Sequence, residues 1–188
     1  IPNFPPLLKT FKKSRLTPAL SRCLGYLIAE GSYGEYGCYR HSFTNSNVEV
    51  INDFLTSWDT VNTLPFRHAS INANGTSIYI LNSKQVATDM SVLGADIELQ
   101  YKRYTPDIIL AADNKNKAAY LAALFEGDGY IGTKTVGIEL SSLQLLRETQ
   151  LLLLQFGIFS KIYKKREAGP GHILGVVCNF RDSWQLHI

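Results

Sequence analysis

Two carboxylates in matching surroundings are the strongest candidates for chemistry in this 188-residue sequence. Glu30 ends the apolar run of residues 23–29, and Asp128 ends the run of residues 121–127; a glycine follows each acid. Two apolar helices that each end in one acid predict a packed helix pair that brings the two carboxylates together. Carboxylate oxygens are the ligands that Mg²⁺ prefers, so the pair is a candidate divalent-metal site.

Glu126 is the alternative to Asp128 as the second acid of this pair. The two acids are two positions apart, which is roughly 200° around a helix at ~100° per residue, so they cannot face the same point. The residue that matches Glu126 in the first run is Ile28, which is apolar. The pattern therefore favours Glu30 with Asp128.

The chain downstream of each acid follows the same order: a strand-like run, a polar turn and an amphipathic helix. Later, the strand-like residues 78–81 lead to Lys84 and residues 176–180 lead to Arg181. Lys84 follows Glu30 by 54 positions, and Arg181 follows Asp128 by 53. The repeat predicts two α/β halves, residues 1–94 and 117–188, joined by a linker at 95–116, with the last helix of the second half shortened.

The two acid-ended runs resemble the paired motifs of LAGLIDADG homing endonucleases. Residues 121–129 (LAALFEGDG) match nearly throughout, and residues 23–31 (CLGYLIAEG) match more loosely. The resemblance covers most of the chain. It implies an α/β (α+β) fold of two pseudo-symmetric αββαββα halves, packed through the motif helices, with antiparallel sheets that form a DNA-binding saddle.

The resemblance also implies an activity, namely hydrolysis of both strands of a long double-stranded DNA target by a monomer. Glu30 and Asp128 would be the catalytic metal ligands for Mg²⁺ or Mn²⁺, with Ca²⁺ expected to support binding without cleavage. Lys84 and Arg181 would steady the charge of the transition state or perturb the attacking water. Asn45 would orient solvent, and its counterpart is either Ser141 or Leu140.

DNA contacts are expected from strand residues of both halves, because strands in a major groove read base edges while Lys and Arg bind phosphates. The candidates are polar, basic or aromatic: Tyr36, Tyr39, Arg40, Arg67, His68, Lys134, Lys161, Tyr163, Lys165 and His172. For each of them alone, an ordinary surface or packing role is the simpler interpretation.

Several local signals predict where elements begin and end. Thr17-Pro18 is typical of a helix start, and Asn116 is a candidate cap for the second motif helix. Residues 72–75 (NANG) predict a hairpin turn, and Gly157 a helix stop. A short helix is predicted at 106–112 with Thr105 as its cap, a turn at 167–172, and an apolar strand at 173–180.

Composition sets broad limits. The net charge of +3 supports nucleic-acid binding only weakly, although basic residues cluster at 9–15 and 161–166. The three cysteines lack metal-like spacing and fit a reducing, intracellular compartment, either an organelle or a prokaryotic cytoplasm. No apolar run is long enough to span a membrane, and no signal peptide is visible.

Other functions remain open at this point. The same scaffold suits an RNA-binding maturase that acts on intron RNA, or a DNA-binding protein that does not cleave; retention of both acids favours the nuclease. An acid-pair hydrolase such as a glycosidase is disfavoured, because no aromatic sugar platform flanks the acids. An origin within an intein is compatible with the missing initiator Met, but splicing residues are absent at both ends of the sequence.

Overall fold

The first half of the chain forms the αββαββα unit that the resemblance implies. The structure is a computed structural model and describes residues 8–13, 15–34, 38–95, 103–173 and 175–188. The elements of the first half are α1 (Pro18–Glu30), β1 (Gly31–Gly34), β2 (Arg40–Asn45), α2 (Val48–Val61), β3 (Arg67–Ile71), β4 (Ser77–Asn82) and α3 (Lys84–Val92). Its strands form one antiparallel sheet in the order β1-β2-β4-β3.

The second half repeats this plan with a short helix before it and an inserted hairpin. The expected shortened last helix is not found in residues 175–188, where the last strand ends one residue before Ile188. The elements are α4 (Asp107–Leu110), α5 (Asn114–Asp128), β5 (Gly129–Ile131), β6 (Val136–Leu140), α6 (Leu143–Gln155), β7 (Lys161–Arg166), β8 (Gly169–Ile173), β9 (Val176–Phe180) and β10 (Ser183–His187). The second sheet has the order β5-β6-β10-β7, so β10 holds the place of β4.

The predicted turn at 167–172 was wrong, whereas the predicted strand at 173–180 exists at Val176–Phe180 but does not join the second sheet. These residues form a separate hairpin, β8 with β9, inserted before the strand that completes the second sheet. The apolar residues of β9 suggested a buried strand, yet Val176 and Val177 are 65% and 67% exposed. The central place in the second sheet is taken by β10, between β6 and β7, and its Leu186 is buried. Arg181 therefore precedes the last strand of the sheet rather than following it.

Most of the predicted helix signals are confirmed, including a short helix in the linker, but the two caps predicted in the linker are wrong. Thr17 caps α1 and accepts a hydrogen bond from the backbone N–H of Leu20 (3.2 Å). Gly157, at φ +75°, follows α6, and the NANG turn joins β3 to β4. The cap of α5 is Asp113 rather than Asn116, because the helix begins three residues earlier than the apolar run suggests. The cap position of α4 is Pro106 rather than Thr105.

The motif helices α1 and α5 pack against each other along small residues. A Cβ atom added at Gly25 would lie 2.5 Å from the carbonyl oxygen of Tyr120 and 2.9 Å from the Cβ of Ala123. A Cβ atom added at Gly127 would lie 2.6 Å from the Cβ of Ala29. The two backbones can approach this closely only because glycine stands at both contacts.

We predict that Gly25→Ala destabilises the protein, although alanine is the better helix former by about 1 kcal/mol. The added methyl group must push α5 away, and overpacking of this kind costs about 1–3 kcal/mol. The free energy of unfolding in urea measures the effect. An unchanged or higher stability would show that the two helices are less tightly packed than described.

The contact at Gly127 supplies a matched test, because a methyl group added there would meet the side chain of Ala29. Gly127→Ala should destabilise the protein, and Ala29→Gly in the same chain should restore part of the loss by removing the methyl group that the new side chain would meet. Additive losses in the double variant would mean that Gly127 and Ala29 do not share a contact.

Candidate functional site

The two acids close the two packed helices at the same end of the helix pair. Glu30 is the last residue of α1 and Asp128 the last of α5, and both are half-buried. The following glycines donate their backbone N–H groups to the carbonyls of Leu27 and Phe125. A Cβ atom added at Gly127 would lie 3.3 Å from the Cγ of Glu30, so Glu30 lies against the last turn of α5.

The two carboxylates influence each other. Burial raises the pKa of Asp128 from its ordinary value, and the nearby charge of Glu30 raises it further, to about 7. Burial likewise raises the pKa of Glu30, against the hydrogen bond from Asn45 and the charge of Arg103. Paired acids with raised pKa values are common at functional centres. A bound cation would relieve the repulsion between the two carboxylates.

Asn45 holds the Glu30 carboxylate in place. Its side-chain amide donates to the Oε1 of Glu30 (2.9 Å), and its Oδ1 accepts from the backbone N–H of Asn47 (2.7 Å). The equivalent position in the second half follows from the strand register, in which Gly31 faces Phe43 and Gly129 faces Ile138.

The counterpart of Asn45 is therefore Leu140, two residues beyond Ile138, and not Ser141. Leucine has no side-chain donor for Asp128. The two halves thus support their acids differently, and a one-residue difference in register decides which residue stands beside the second acid.

Arg103 is a residue of this site that the sequence analysis missed. It is 3% exposed, and its guanidinium donates to the carbonyls of Ile28, Ala29 (3.0 Å from the Nη1) and Gly31, at the carboxyl end of α1. The charge of Arg103 lowers the pKa of Glu30 and of Asp128, against the effect of burial. It lies in the polar linker, and no local pattern there indicates that its side chain reaches α1.

Glu126 lies on another side of α5, as its position on the helix predicted. It forms an ion pair with Arg22 of α1 (2.5 Å) and accepts a hydrogen bond from the hydroxyl of Tyr26. Arg22 also pairs with Asp53 of α2 (2.5 Å). This network links the two halves and leaves Glu126 out of the acid pair.

Lys84 does not reach the acid pair, which corrects the sequence-based expectation. Strand β4 begins opposite Asn45, beside Glu30, and its six residues run away from that point over about 17 Å. Lys84 follows the far end of β4, where its ammonium lies 5.6 Å from the ring centroid of Tyr39. The similar spacings of Lys84 and Arg181 from the two acids, 54 and 53 positions, therefore do not reflect equivalent positions.

Arg181 lies at the inner end of the second sheet, the end nearer its acid. It precedes Trp184 by three residues, and Trp184 faces Leu140 in the register of β10 and β6. Arg181, Ser141 and Trp184 line the same surface depression. Of the two predicted basic residues, only Arg181 is at the correct end of its sheet.

The predicted DNA-contacting residues of the first half divide between two faces. Arg40 and Arg67 are exposed, and Arg67 faces Ile80 on the side of the sheet away from the core. His68 faces Tyr79, which packs against the core, so it is not on the outer face. Tyr39 is half-buried beside Lys84, and Tyr36 lies outside the described residues.

The outer face of the second sheet combines basic, aromatic and amide side chains. Lys161, Tyr163 and Lys165 are exposed and alternate with Ile162, which packs against the core. Neighbouring residues that the sequence analysis missed complete this face: Tyr130, Glu139, Gln185 and His187. Lys134 is exposed in the turn between β5 and β6, and His172 is exposed on β8.

The donor set at the site is small. Across the described ranges, no group of three or more His, Cys, Asp or Glu side chains could hold a metal ion. The three cysteines are free thiols. No helix in the described part of the chain is long and apolar enough to cross a membrane. A metal at the acid pair would thus take two carboxylates from the protein and further ligands from water or substrate.

Comparison with known sequences identifies a family. Residues 115–183 match the model of the LAGLIDADG-like domain. Over 162 residues the chain is 30% identical to the glutamine–fructose-6-phosphate aminotransferase (isomerizing) of Methanocaldococcus jannaschii, which covers 80% of this chain. The chain spans only 14% of the length of that relative.

Solved structures show the same fold. The crystal structure of I-DmoI in complex with DNA and Mn matches with a TM-score of 0.61 at 14% identity, over 92% of this chain and 90% of that one. The N-terminal LAGLIDADG domain of DUF199/WhiA matches with a TM-score of 0.56 at 13% identity, over 91% and 74%. At such identities the likeness shows the fold alone.

We predict that the raised pKa of Asp128 makes the metal-free protein less stable as the pH rises from about 4 to 7. In that window the folded state binds a proton that the unfolded state has released, so folding is favoured on the acid side. Asp128→Asn should flatten this part of the profile and stabilise the protein at pH 8. Urea unfolding in EDTA across this range measures it.

Glu167→Gln is the matched control, because Glu167 is 85% exposed and pairs with Lys164 (3.5 Å). It should leave the profile unchanged. An equal slope in the parent and in Asp128→Asn would show that Asp128 titrates normally and that the two acids are not close.

Proposed function

Because the chain belongs to the LAGLIDADG family, we propose that it is a site-specific endonuclease that hydrolyses both strands of a double-stranded DNA target with divalent metal ions. The observation that supports this most is the pair of half-buried acids at the ends of α1 and α5. Each half contributes one acid, and both halves are on one chain, so a monomer is sufficient for two cuts.

The acid pair suits a divalent metal ion. Its donors are carboxylate oxygens, and the charges of Glu30 and Asp128 repel each other in a partly buried place. Mg²⁺ and Mn²⁺ accept such ligands and keep open positions for water and phosphate oxygens. The protein I-DmoI, which shares this fold, has been crystallised with DNA and Mn. When bound, the metal would activate water and neutralise charge on the phosphate.

The residues of the chain have distinct roles in this proposal. Glu30 and Asp128 hold the metal, and Asn45 fixes the orientation of the Glu30 carboxylate through its 2.9 Å hydrogen bond. Arg181, at the inner end of the second sheet, is the candidate for a contact with phosphate. Lys84 is too distant from the acid pair to act there.

The outer faces of the two sheets are the proposed DNA surface. Their exposed arginines and lysines would bind phosphates, and the amide and aromatic side chains between them would contact base edges. The first sheet contributes Arg40 and Arg67 to this surface. The second sheet contributes Lys161, Tyr163 and Lys165. The two faces differ in sequence, which fits an asymmetric target.

A second candidate is a DNA-binding protein that does not cleave. Leu140 supports it, because the second acid lacks the amide partner that Asn45 gives the first. The N-terminal LAGLIDADG domain of DUF199/WhiA shares the fold at 13% identity. The aminotransferase activity named for the Methanocaldococcus relative is not proposed, because the match covers so little of that protein.

We predict that Glu30→Gln and Asp128→Asn each lower cleavage by on the order of 100-fold or more while DNA binding in Ca²⁺ persists, because each removes a metal ligand and leaves the sheets intact. A randomised duplex library with Mg²⁺ selects the cleaved target, and single-turnover assays on that target measure the loss. Glu126→Gln is the matched control, being an acid on the same helix that pairs with Arg22, and should cleave normally.

The outcomes separate the candidates. Retention of duplex DNA without cutting by the parent protein would favour the non-cleaving DNA-binding protein. Preferential retention of structured RNA would favour a maturase. Cleavage that survives loss of either acid would contradict the proposed metal site.

A further inference from the structure

Glu139 and Gln185 lie side by side on the outer face of the second sheet. They face each other in the register of β6 and β10. Their chain neighbours Ile138 and Leu186 are fully buried. Because successive side chains of a strand point to opposite faces, Glu139 and Gln185 both point away from the core, onto the proposed DNA surface.

The Glu139 carboxylate fixes the direction in which the Gln185 amide is turned. The Nε2 of Gln185 donates to the Oε2 of Glu139 (3.0 Å), and the hydroxyl of Ser183 donates to the Oε1 of Glu139 (2.9 Å). A carboxylate accepts hydrogen bonds and cannot donate one. A reversed amide would therefore place its carbonyl oxygen against Glu139, so only one orientation of Gln185 is favourable.

The outer edge of the Gln185 amide offers one acceptor and one donor. The amide nitrogen carries two hydrogens, and Glu139 takes one of them. Within the described ranges, no donor reaches the carbonyl oxygen of Gln185. In the major groove this edge matches adenine, whose N6 amino group donates and whose N7 accepts, whereas guanine presents two acceptors.

The side chains beside Gln185 suit contact with a duplex. Gln185 faces Tyr163 of β7 on the side opposite Glu139. Lys161 and Lys165 lie two residues before and after Tyr163 and are exposed. Lysines that bind phosphates on both sides would set the register of the sheet on the DNA and leave Gln185 opposite base edges.

The first sheet has a different pair at the matching place. Thr44 precedes Asn45 as Glu139 precedes Leu140, and Thr44 faces Ile78 in the register of β2 and β4. Isoleucine has no amide and threonine no carboxylate. The contact would therefore belong to the half-site bound by the second half.

We propose that Gln185 is a specificity-determining residue that reads one adenine of the DNA target, and that Glu139 is the positioning residue that holds its amide in the orientation that adenine requires. The inference rests on the proposed function to the extent that duplex DNA lies on the outer faces of the sheets. It does not depend on cleavage.

Retention of a randomised duplex library in Ca²⁺, followed by sequencing, tests the reading of adenine. Gln185→Ala should lower the preference for adenine by at least about fivefold at one position of the selected site and leave the other positions unchanged. Gln185→Lys should move the preference at that position to guanine, because lysine binds O6 and N7. Unchanged preferences in both variants, or a change at a base pair without adenine, would overturn the proposal.

Glu139→Ala tests the positioning role, because Gln185 remains while its amide becomes free to turn. The adenine preference should fall at the same position, and Glu139→Gln, which keeps an acceptor oxygen, should retain more of it. Parental preferences elsewhere in the site would show that both variants are folded. An adenine preference as strong in Glu139→Ala as in the parent would overturn the positioning role.

Gln144→Ala is the matched control. Gln144 donates to Glu148 (2.9 Å) in the same kind of pair, but on α6 rather than on the sheet. This variant should keep the parental preference at every position, and a loss equal to that of Gln185→Ala would overturn the assignment.

The same selection separates this inference from the proposed function. A parent protein that retains one duplex site without cutting it in Mg²⁺ would contradict the endonuclease proposal and leave the adenine test standing. A parent that retains no duplex would contradict both.

Discussion

The close contact between α1 and α5 is the constraint on which the rest of the structure depends. Gly25 and Gly127 let the two backbones approach until a single added methyl group would collide with the opposite helix. Each helix ends in an acid at the same end of the pair, so the contact that joins the halves also brings the carboxylates together. The sheets then extend from these helix ends, since β1 and β5 begin at the next residue.

Bringing two acids together creates an electrostatic cost, and the molecule offsets it unequally. Asn45 donates a hydrogen bond to Glu30, whereas the matching position beside Asp128 is Leu140. Burial, together with the nearby charge of Glu30, raises the pKa of Asp128 to about 7. Arg103 supplies positive charge to both acids from the linker, which is therefore part of the site and not only a connection. Elsewhere, Arg22 forms ion pairs with both Asp53 and Glu126.

The features that sequence predicts well are those set by local physics. The motif helices, the Thr17 cap and the NANG turn depend on neighbouring residues, and the duplicated order of elements identified the fold. The hairpin β8–β9 was misread because its apolar residues look buried, although their exposure depends on which strand joins the sheet. Arg103 contacts residues more than 70 positions away, and the choice between Ser141 and Leu140 requires the strand register; neither is visible in a local pattern.

We propose that Glu30 and Asp128 together form one divalent-metal centre. Electron paramagnetic resonance of Mn²⁺, titrated into the protein bound to its selected duplex, tests this claim directly. We expect Glu30→Gln and Asp128→Asn to weaken the same binding event, while Glu126→Gln binds Mn²⁺ like the parent. Binding that stays at parental strength after loss of either acid would show that the two carboxylates do not act together, and would contradict the account.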